Sequence, residues 1–121
     1  MVIRAALALA VLALPSVAQA HAALVRAAPA ARETVRVTPA RAQLWFSERL
    51  EPAYSTMSVW QERARVDRGD ATVGPDDPRS LSVSLPSLDR GRYLVKYRVL
   101  SVDGHVVEGS FPFSVSGAAG R

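Results

Sequence analysis

The stretch Tyr-Leu-Val-Lys-Tyr-Arg-Val at residues 93–99 indicates the fold class of this chain. Apolar or aromatic side chains occupy every second position, and the charged Lys96 and Arg98 fall between them. Successive side chains of a β-strand point to opposite faces of a sheet, so this alternation predicts a strand with one face in a core. The segment Leu81–Leu85 alternates in the same way and predicts a second such strand.

Outward from this stretch, short apolar segments recur along the chain, and proline, glycine and aspartate separate them as turn residues do. No segment after residue 20 keeps an apolar period of 3.6 residues long enough for a helix. About seven short strands in roughly 100 residues predict an all-β fold, an immunoglobulin-like Greek-key β-sandwich. The predicted strands are Ala22–Arg26, Ala42–Phe46, Thr56–Gln61, Leu81–Leu85, Tyr93–Leu100 and Val107–Val115, with a shorter pair at Arg65–Val66 and Ala71–Val73.

The first twenty residues have the three regions of a secretory signal peptide. Arg4 supplies the positive charge, residues 5–14 are apolar, and Ala18-Gln19-Ala20 is a small-x-small cleavage site. The apolar region is far shorter than the ~20 residues of a membrane-spanning helix. We therefore expect cleavage after Ala20 and a periplasmic protein that begins at His21.

The remaining chain is short enough for one domain, which we place at residues 21–116, followed by a flexible tail at 117–121. The absence of cysteine excludes disulfides and thiolate metal ligands. The formal net charge is +4, but the arginines are scattered and form no basic run with interleaved aromatics, so no nucleic-acid partner is expected. No second hydrophobic segment follows, so we expect a soluble mature chain without a membrane span. We also expect a monomer.

The two histidines carry the candidate chemistry. Cleavage would make His21 the first residue, where the α-amine and the imidazole Nδ1 can chelate one ion. Asp103 and His105 are two residues apart and can point to the same side of an extended chain, and Gly104 between them permits unusual backbone angles. Nitrogen donors with one carboxylate favour Cu(II), so we predict one Cu(II) ion per chain.

A structural role for the second histidine remains open on the residues alone. Asp103-Gly104 is an ordinary hairpin-turn signal, and His105 could be a turn residue hydrogen-bonded to Asp103. Met57 is the only sulfur-containing residue after Met1, which disfavours a Cu(I) site because Cu(I) prefers sulfur ligands. Trp45 and Trp60 are expected mainly in the core.

Three segments of the chain resemble the CopC-type periplasmic copper-binding proteins. They are residues 21–29, Leu44-Trp-Phe-Ser-Glu48, and the long stretch Gly91 to His105 with its continuation to Phe111. The resemblance implies a β-sandwich, with His21, Asp103 and His105 as copper ligands and Glu48 as a further ligand or a hydrogen-bonding residue.

Two departures from the family pattern bear on mechanism. Val106 stands where the family often has proline after the motif histidine. The methionine- and histidine-rich segment that gives some members a Cu(I) site is missing.

A copper-binding protein that sequesters Cu(II), or delivers it to a membrane partner, is the first functional hypothesis. The resemblance implies a CopD-type membrane protein as that partner. We expect no enzymatic activity, because committing both histidines to a metal leaves none as a general base. The alternatives are a histidine-brace copper monooxygenase and a metal-free Ig-like structural module.

Overall fold

The computed structural model describes Ala10 and residues 22–118. The predicted signal peptide, apart from Ala10, lies outside the described residues, and so do His21 and residues 119–121 of the predicted tail. Among the described residues, no helix has the length and apolar character needed to cross a membrane.

Residues 22–118 form two β-sheets that face each other. The first sheet has the strand order β1-β3-β7-β6 and the second has the order β2-β9-β8-β4-β5. The strands are β1 (Leu24–Ala28), β2 (Thr34–Val35), β3 (Arg41–Phe46), β4 (Thr56–Gln61), β5 (Ala64–Arg65), β6 (Thr72–Val73), β7 (Ser80–Ser84), β8 (Gly91–Leu100) and β9 (Val106–Val115). The all-β sandwich predicted from the sequence is confirmed.

The longest pairing is the antiparallel β8–β9 hairpin, which runs from Gly91 opposite Val115 to Leu100 opposite Val106. The alternating pattern continues along this hairpin, so that every second side chain of β8 faces the opposite sheet. Tyr97 and Gly109 are partners in this pairing, and a Cβ atom at Gly109 would overlap the Tyr97 ring. The glycine therefore leaves room for the ring of its neighbour.

The core fills the space between the inner faces of the two sheets. Tyr93 stacks on Phe113 with ring centroids 5.5 Å apart, and Phe46 meets Tyr97 edge-to-face, also at 5.5 Å. Smaller side chains with at most 2% exposure surround these rings: Ala22, Ala42, Leu44, Leu50, Met57, Val59, Leu81, Val83, Val95 and Val99.

The expectation that the tryptophans belong to the core is wrong. Trp45 and Trp60 are only partly buried and lie on the outer faces of the two sheets. The Arg26 guanidinium lies 4.4 Å from the Trp45 ring centroid, and Lys96 Nζ lies 5.1 Å from that of Trp60. The odd–even alternation of each strand accounts for this, because the inward positions of β3 and β4 belong to smaller side chains.

The described residues contain nine strands, more than the approximately seven expected of the fold and one more than the eight predicted segments. The strand that no predicted segment covers is β2, which pairs in parallel with the end of β9. Between β3 and β4, the described residues also contain a short 3-10 turn at Pro52–Tyr54.

One end of the sandwich collects the ends of seven strands. Strands β3, β6 and β8 finish there, and β1, β4, β7 and β9 begin there, as the registers of the two sheets show. The loop after β3 and the turn between β8 and β9 therefore lie side by side at this end. These two segments carry Glu48, Asp103 and His105, three of the four residues that the sequence nominates as metal ligands.

Candidate metal centre

The turn between β8 and β9 is closed by its own backbone. Ser101 N donates to His105 O at 3.0 Å, and Gly104 N donates to Ser101 O at 2.9 Å. Gly104 has φ +91°, and nothing lies within 4 Å of the position of a Cβ there. The backbone angle, and not lack of space, therefore accounts for glycine at this position.

This turn brings Asp103 and His105 into contact. Asp103 Oδ1 lies 3.2 Å from His105 Nδ1 and accepts a hydrogen bond from His105 N at 3.3 Å. The side chains are 32% and 49% exposed respectively, so both are open to solvent. A carboxylate and an imidazole this close together can contribute donor atoms to one metal ion.

The buried hydroxyl of Ser101 is hydrogen-bonded to the Asp103 carboxylate. Ser101 is 0% exposed, and its Oγ donates a hydrogen bond to Asp103 Oδ1. This hydrogen bond contributes most to lowering the pKa of Asp103; desolvation opposes it, and the side chain and backbone N–H of His105 lower the pKa further. Asp103 is therefore held as an anionic donor.

The loop after β3 is hydrogen-bonded to this turn. Val102 N donates to Arg49 O at 3.0 Å, Glu51 N donates to Leu100 O at 2.8 Å, and Leu50 forms a β-bridge with Ser101. These contacts hold the loop that carries Glu48 against the Asp103 turn.

The same loop also holds the beginning of β1. Ala23 N donates to Ser47 Oγ, and Ser47 N donates to Ala23 O, both at 2.8 Å. Ala22 is fully buried. The described chain therefore starts, one residue after His21, at a segment bonded to the Glu48 loop, which is itself bonded to the Asp103 turn.

The structure describes three of the four predicted ligands and brings two of them into contact. Asp103 and His105 are brought together, and Glu48 is partly buried on the neighbouring loop. Within residues 22–118, no group of three or more His, Cys, Asp or Glu side chains is arranged to hold a metal ion. His21 lies outside the described residues, so His21 and Glu48 stay predictions.

The donor chemistry of the described pair suits a borderline divalent ion. Imidazole nitrogen is a common donor for copper and zinc, and a single carboxylate oxygen is compatible with both. Met57 is 1% exposed in the core, so its thioether is not accessible to an ion at the solvent-open Asp103 turn. The residues present therefore fit Cu(II) better than Cu(I).

Two supporting residues were not anticipated from the sequence. Ser101 could have been found, because it precedes Asp103 by two positions and so can share its side of an extended chain. Ser47 carried no such signal, since its contact with Ala23 joins residues 24 positions apart.

Comparison with known proteins places the chain in a family. The model of the CopC domain matches residues 24–116. "Copper resistance protein C" of Pseudomonas syringae pv. tomato is 33% identical over 107 residues, which cover 83% of this chain and 84% of that protein. "Protein YobA" of Escherichia coli strain K12 is 37% identical over 98 residues, covering 79% of each chain.

A longer relative and two solved structures also match. "Copper transport protein CutJ" of Bacillus subtilis strain 168 is 29% identical over 109 residues, which are 88% of this chain but only 20% of that protein. The crystal structure of CopC from Methylosinus trichosporium OB3b has a TM-score of 0.69 and 37% identity, covering 84% of this chain and 99% of that one. PcoC, a methionine-rich copper resistance protein from Escherichia coli, gives 0.66 and 30%, covering 80% and 100%. With its domain model, its relatives and its sandwich in agreement, this chain belongs to the CopC family.

Proposed function

We propose that this protein binds one Cu(II) ion in the periplasm, through the α-amine and imidazole of His21 together with Asp103 and His105. The observation that carries the proposal is the 3.2 Å contact between Asp103 Oδ1 and His105 Nδ1 on a solvent-open turn. The hydrogen bonds between Ala23 and Ser47 support it, because they hold the chain near His21 at the same end of the sandwich.

The names of the relatives support copper as the cargo. Two are named for copper resistance and one for copper transport. The absence of cysteine and the burial of Met57 favour the oxidised ion, because Cu(I) prefers sulfur ligands. Glu48 on the adjoining loop would act as a further ligand or would accept a hydrogen bond from a ligand.

Sequestration, or delivery to a separate membrane protein of the CopD type, is the role that we propose for the bound ion. The exposed fractions of Asp103 and His105 agree with such a role, since a carried ion must be reachable by the molecule that receives it. This chain spans a fifth of the length of CutJ, so the activity of that longer protein is not transferred to it.

Electron paramagnetic resonance of the processed protein with one equivalent of Cu(II) tests the proposal. Mass spectrometry first establishes that the chain begins at His21. We expect nitrogen hyperfine structure from three nitrogens, and its loss in part with His105→Ala. One extra residue before His21 should abolish the amine–imidazole chelate and weaken binding strongly.

A matched substitution controls for charge. Asp89 is an exposed aspartate just before the beginning of β8, at the opposite end of the sandwich, so Asp89→Asn should bind copper as the unmodified chain does. Asp103→Asn should weaken binding. Equal affinities for these two variants, or an unchanged affinity with the extra N-terminal residue, would overturn the proposed ligand set.

A further inference from the structure

We propose that Ser101 is a positioning residue that decides which oxygen of Asp103 faces the metal ion. The inference rests on the proposed function, because it concerns the same copper site. The Ser101 hydroxyl fixes the orientation of this one ligand before any ion arrives.

The burial of Ser101 is the first observation. In residues 22–118, only Ser55 and Ser101 are polar residues in the buried class, with exposures of 6% and 0%. Burying a hydroxyl without a hydrogen bond lowers the stability of the fold, so a buried hydroxyl needs a partner nearby. The Ser101 hydroxyl has Asp103 Oδ1 as one acceptor and His105 O at 3.2 Å as the other.

The carboxylate is the stronger of these acceptors, because hydrogen bonds to ionised groups are about twice as strong as neutral ones. The single hydroxyl proton therefore goes to Asp103. The carbonyl of His105 already accepts from Ser101 N at 3.0 Å, so it does not need the hydroxyl.

The distribution of contacts over the two carboxylate oxygens is the second observation. Ser101 Oγ, His105 N at 3.3 Å and His105 Nδ1 at 3.2 Å all meet Oδ1. In the described part of the chain, no polar contact falls on Oδ2. Oδ1 is thus occupied by protein donors, and Oδ2 is the oxygen left to a metal ion.

A carboxylate held in this way gives a single-oxygen ligand with a fixed direction. Without the hydroxyl, the carboxylate can turn about its terminal torsion, which has a broad two-fold preference. It could then offer either oxygen or both. Groups that orient a metal ligand in other proteins typically change metal affinity by about 10- to 100-fold when they are removed.

Ser101→Ala, with Ser55→Ala as its matched control, tests the inference. Ser55 Oγ bonds to the backbone of Leu100, the residue before Ser101. It accepts from Leu100 N at 3.1 Å and donates to Leu100 O at 3.4 Å. Both variants remove one buried hydroxyl, but only Ser101 contacts the ligand. We expect Ser101→Ala to lower Cu(II) affinity by about 10-fold or more and to change the copper hyperfine coupling. Ser55→Ala should lower Tm and leave the copper spectrum unchanged.

The double variant Ser101→Ala with Asp103→Ala shows whether the effect passes through the carboxylate. We expect Ser101→Ala to have no further effect on copper affinity once the carboxylate is gone. An equal loss in both backgrounds, or the same spectral change with Ser55→Ala, would overturn the inference.

Asp103→Asn gives an independent test that keeps Ser101 intact. The hydroxyl and His105 N would hold the amide oxygen in the Oδ1 position and turn the amide nitrogen toward the metal, so Asp103→Asn should bind copper as weakly as Asp103→Ala. Tighter binding by Asp103→Asn would overturn the positioning role. Wild-type affinity for Asp103→Ala would instead show that Asp103 is not a ligand, which contradicts the proposed function itself.

Discussion

Ala23 and Ser47 are joined by two hydrogen bonds of 2.8 Å, one from the amide of Ala23 to the Ser47 hydroxyl oxygen and one from the amide of Ser47 to the Ala23 carbonyl. The beginning of β1 is thereby fixed to the loop that carries Glu48. A residue placed two positions earlier has little chain with which to move away, since each residue spans at most about 3.6 Å. Under the proposed function, this contact would keep the start of the processed chain close to the copper ligands.

Ser47→Ala should weaken copper binding as well as stability. The variant removes the acceptor of Ala23 N, for which we expect a loss of about 1 kcal/mol in the free energy of unfolding. Thr38→Ala is the control, because Thr38 Oγ1 accepts from Leu88 N at 2.9 Å at the opposite end of the sandwich. Urea unfolding and Cu(II) competition titrations measure the two effects. A parallel loss of affinity in Thr38→Ala would show that general loosening is responsible.

Copper affinity should fall as the pH is lowered from about 7 to 5, because histidine nitrogens and the terminal amine bind metals only without their protons. The hydrogen bond from Ser101 holds the pKa of Asp103 below its usual value, so this carboxylate stays ionised across that range. Asp103→Asn should therefore lower the affinity at every pH in this range, and its affinity should still fall as the pH is lowered. Competition titrations at several pH values measure this, and an affinity of either protein that stays constant from pH 7 to 5 would contradict it.

Asp67 should govern the acid stability of the β4–β5 hairpin. Its side chain is 0% exposed and accepts hydrogen bonds of 2.8 Å from Val59 N, Arg65 Nε and Gly69 N. Burial raises the pKa of Asp67, but these hydrogen bonds outweigh it and the net pKa is lowered. A lowered pKa stabilises the fold above the unfolded value near 3.9, and this stabilisation is lost as the pH falls through the folded value.

Asp67→Ala should therefore cost about 2–4 kcal/mol at neutral pH. Urea unfolding from pH 6 to 2 should show a weaker acid dependence in the variant than in the unmodified chain. Asp76→Asn, on an exposed aspartate, should change neither quantity. A variant as acid-sensitive as the unmodified chain would contradict the role of Asp67.

Replacing Trp60 should reduce the free energy of unfolding less than replacing Phe113. Trp60 is partly buried on an outer face beneath Lys96, whereas Phe113 is 1% exposed and stacks on Tyr93. We expect about 3–5 kcal/mol for Phe113→Ala and less than about 2 kcal/mol for Trp60→Ala, because the latter leaves no closed cavity. Urea unfolding gives both values, and the reverse order would contradict the assignment of the outer face.

The sandwich could be predicted because its long strands alternate. Residues 93–99 and Leu81–Leu85 show one face to the core and one to water, and the structure places them in opposite sheets. The short β2 could not be predicted, because its parallel pairing with β9 depends on contacts distant in sequence. The tryptophans were wrongly assigned to the core because that prediction used their hydrophobicity. Their odd–even position along β3 and β4 would have placed them on the outer faces.

The Asp103–His105 pair could be predicted from spacing alone, because a two-residue separation with glycine between suits a turn. The loop that supports the pair could not, since its contacts join Arg49 to Val102 and Leu50 to Ser101 across the domain end. Such pairings follow from the order of strands in the sheets. His21 and Glu48 stay predictions that rest on the resemblance and on the signal-peptide cleavage.

The fit of the Tyr97 ring over Gly109 has a consequence for the evolution of such chains. A homologue that gains a side chain at the position of Gly109 must move or shorten the ring opposite, because a Cβ atom there would overlap the outer part of the Tyr97 ring. Substitutions at these two positions should therefore be inherited together. In an alignment of related chains, an occupied 109 position should accompany a small residue at 97, and this covariation would mark the β8–β9 register without any structure.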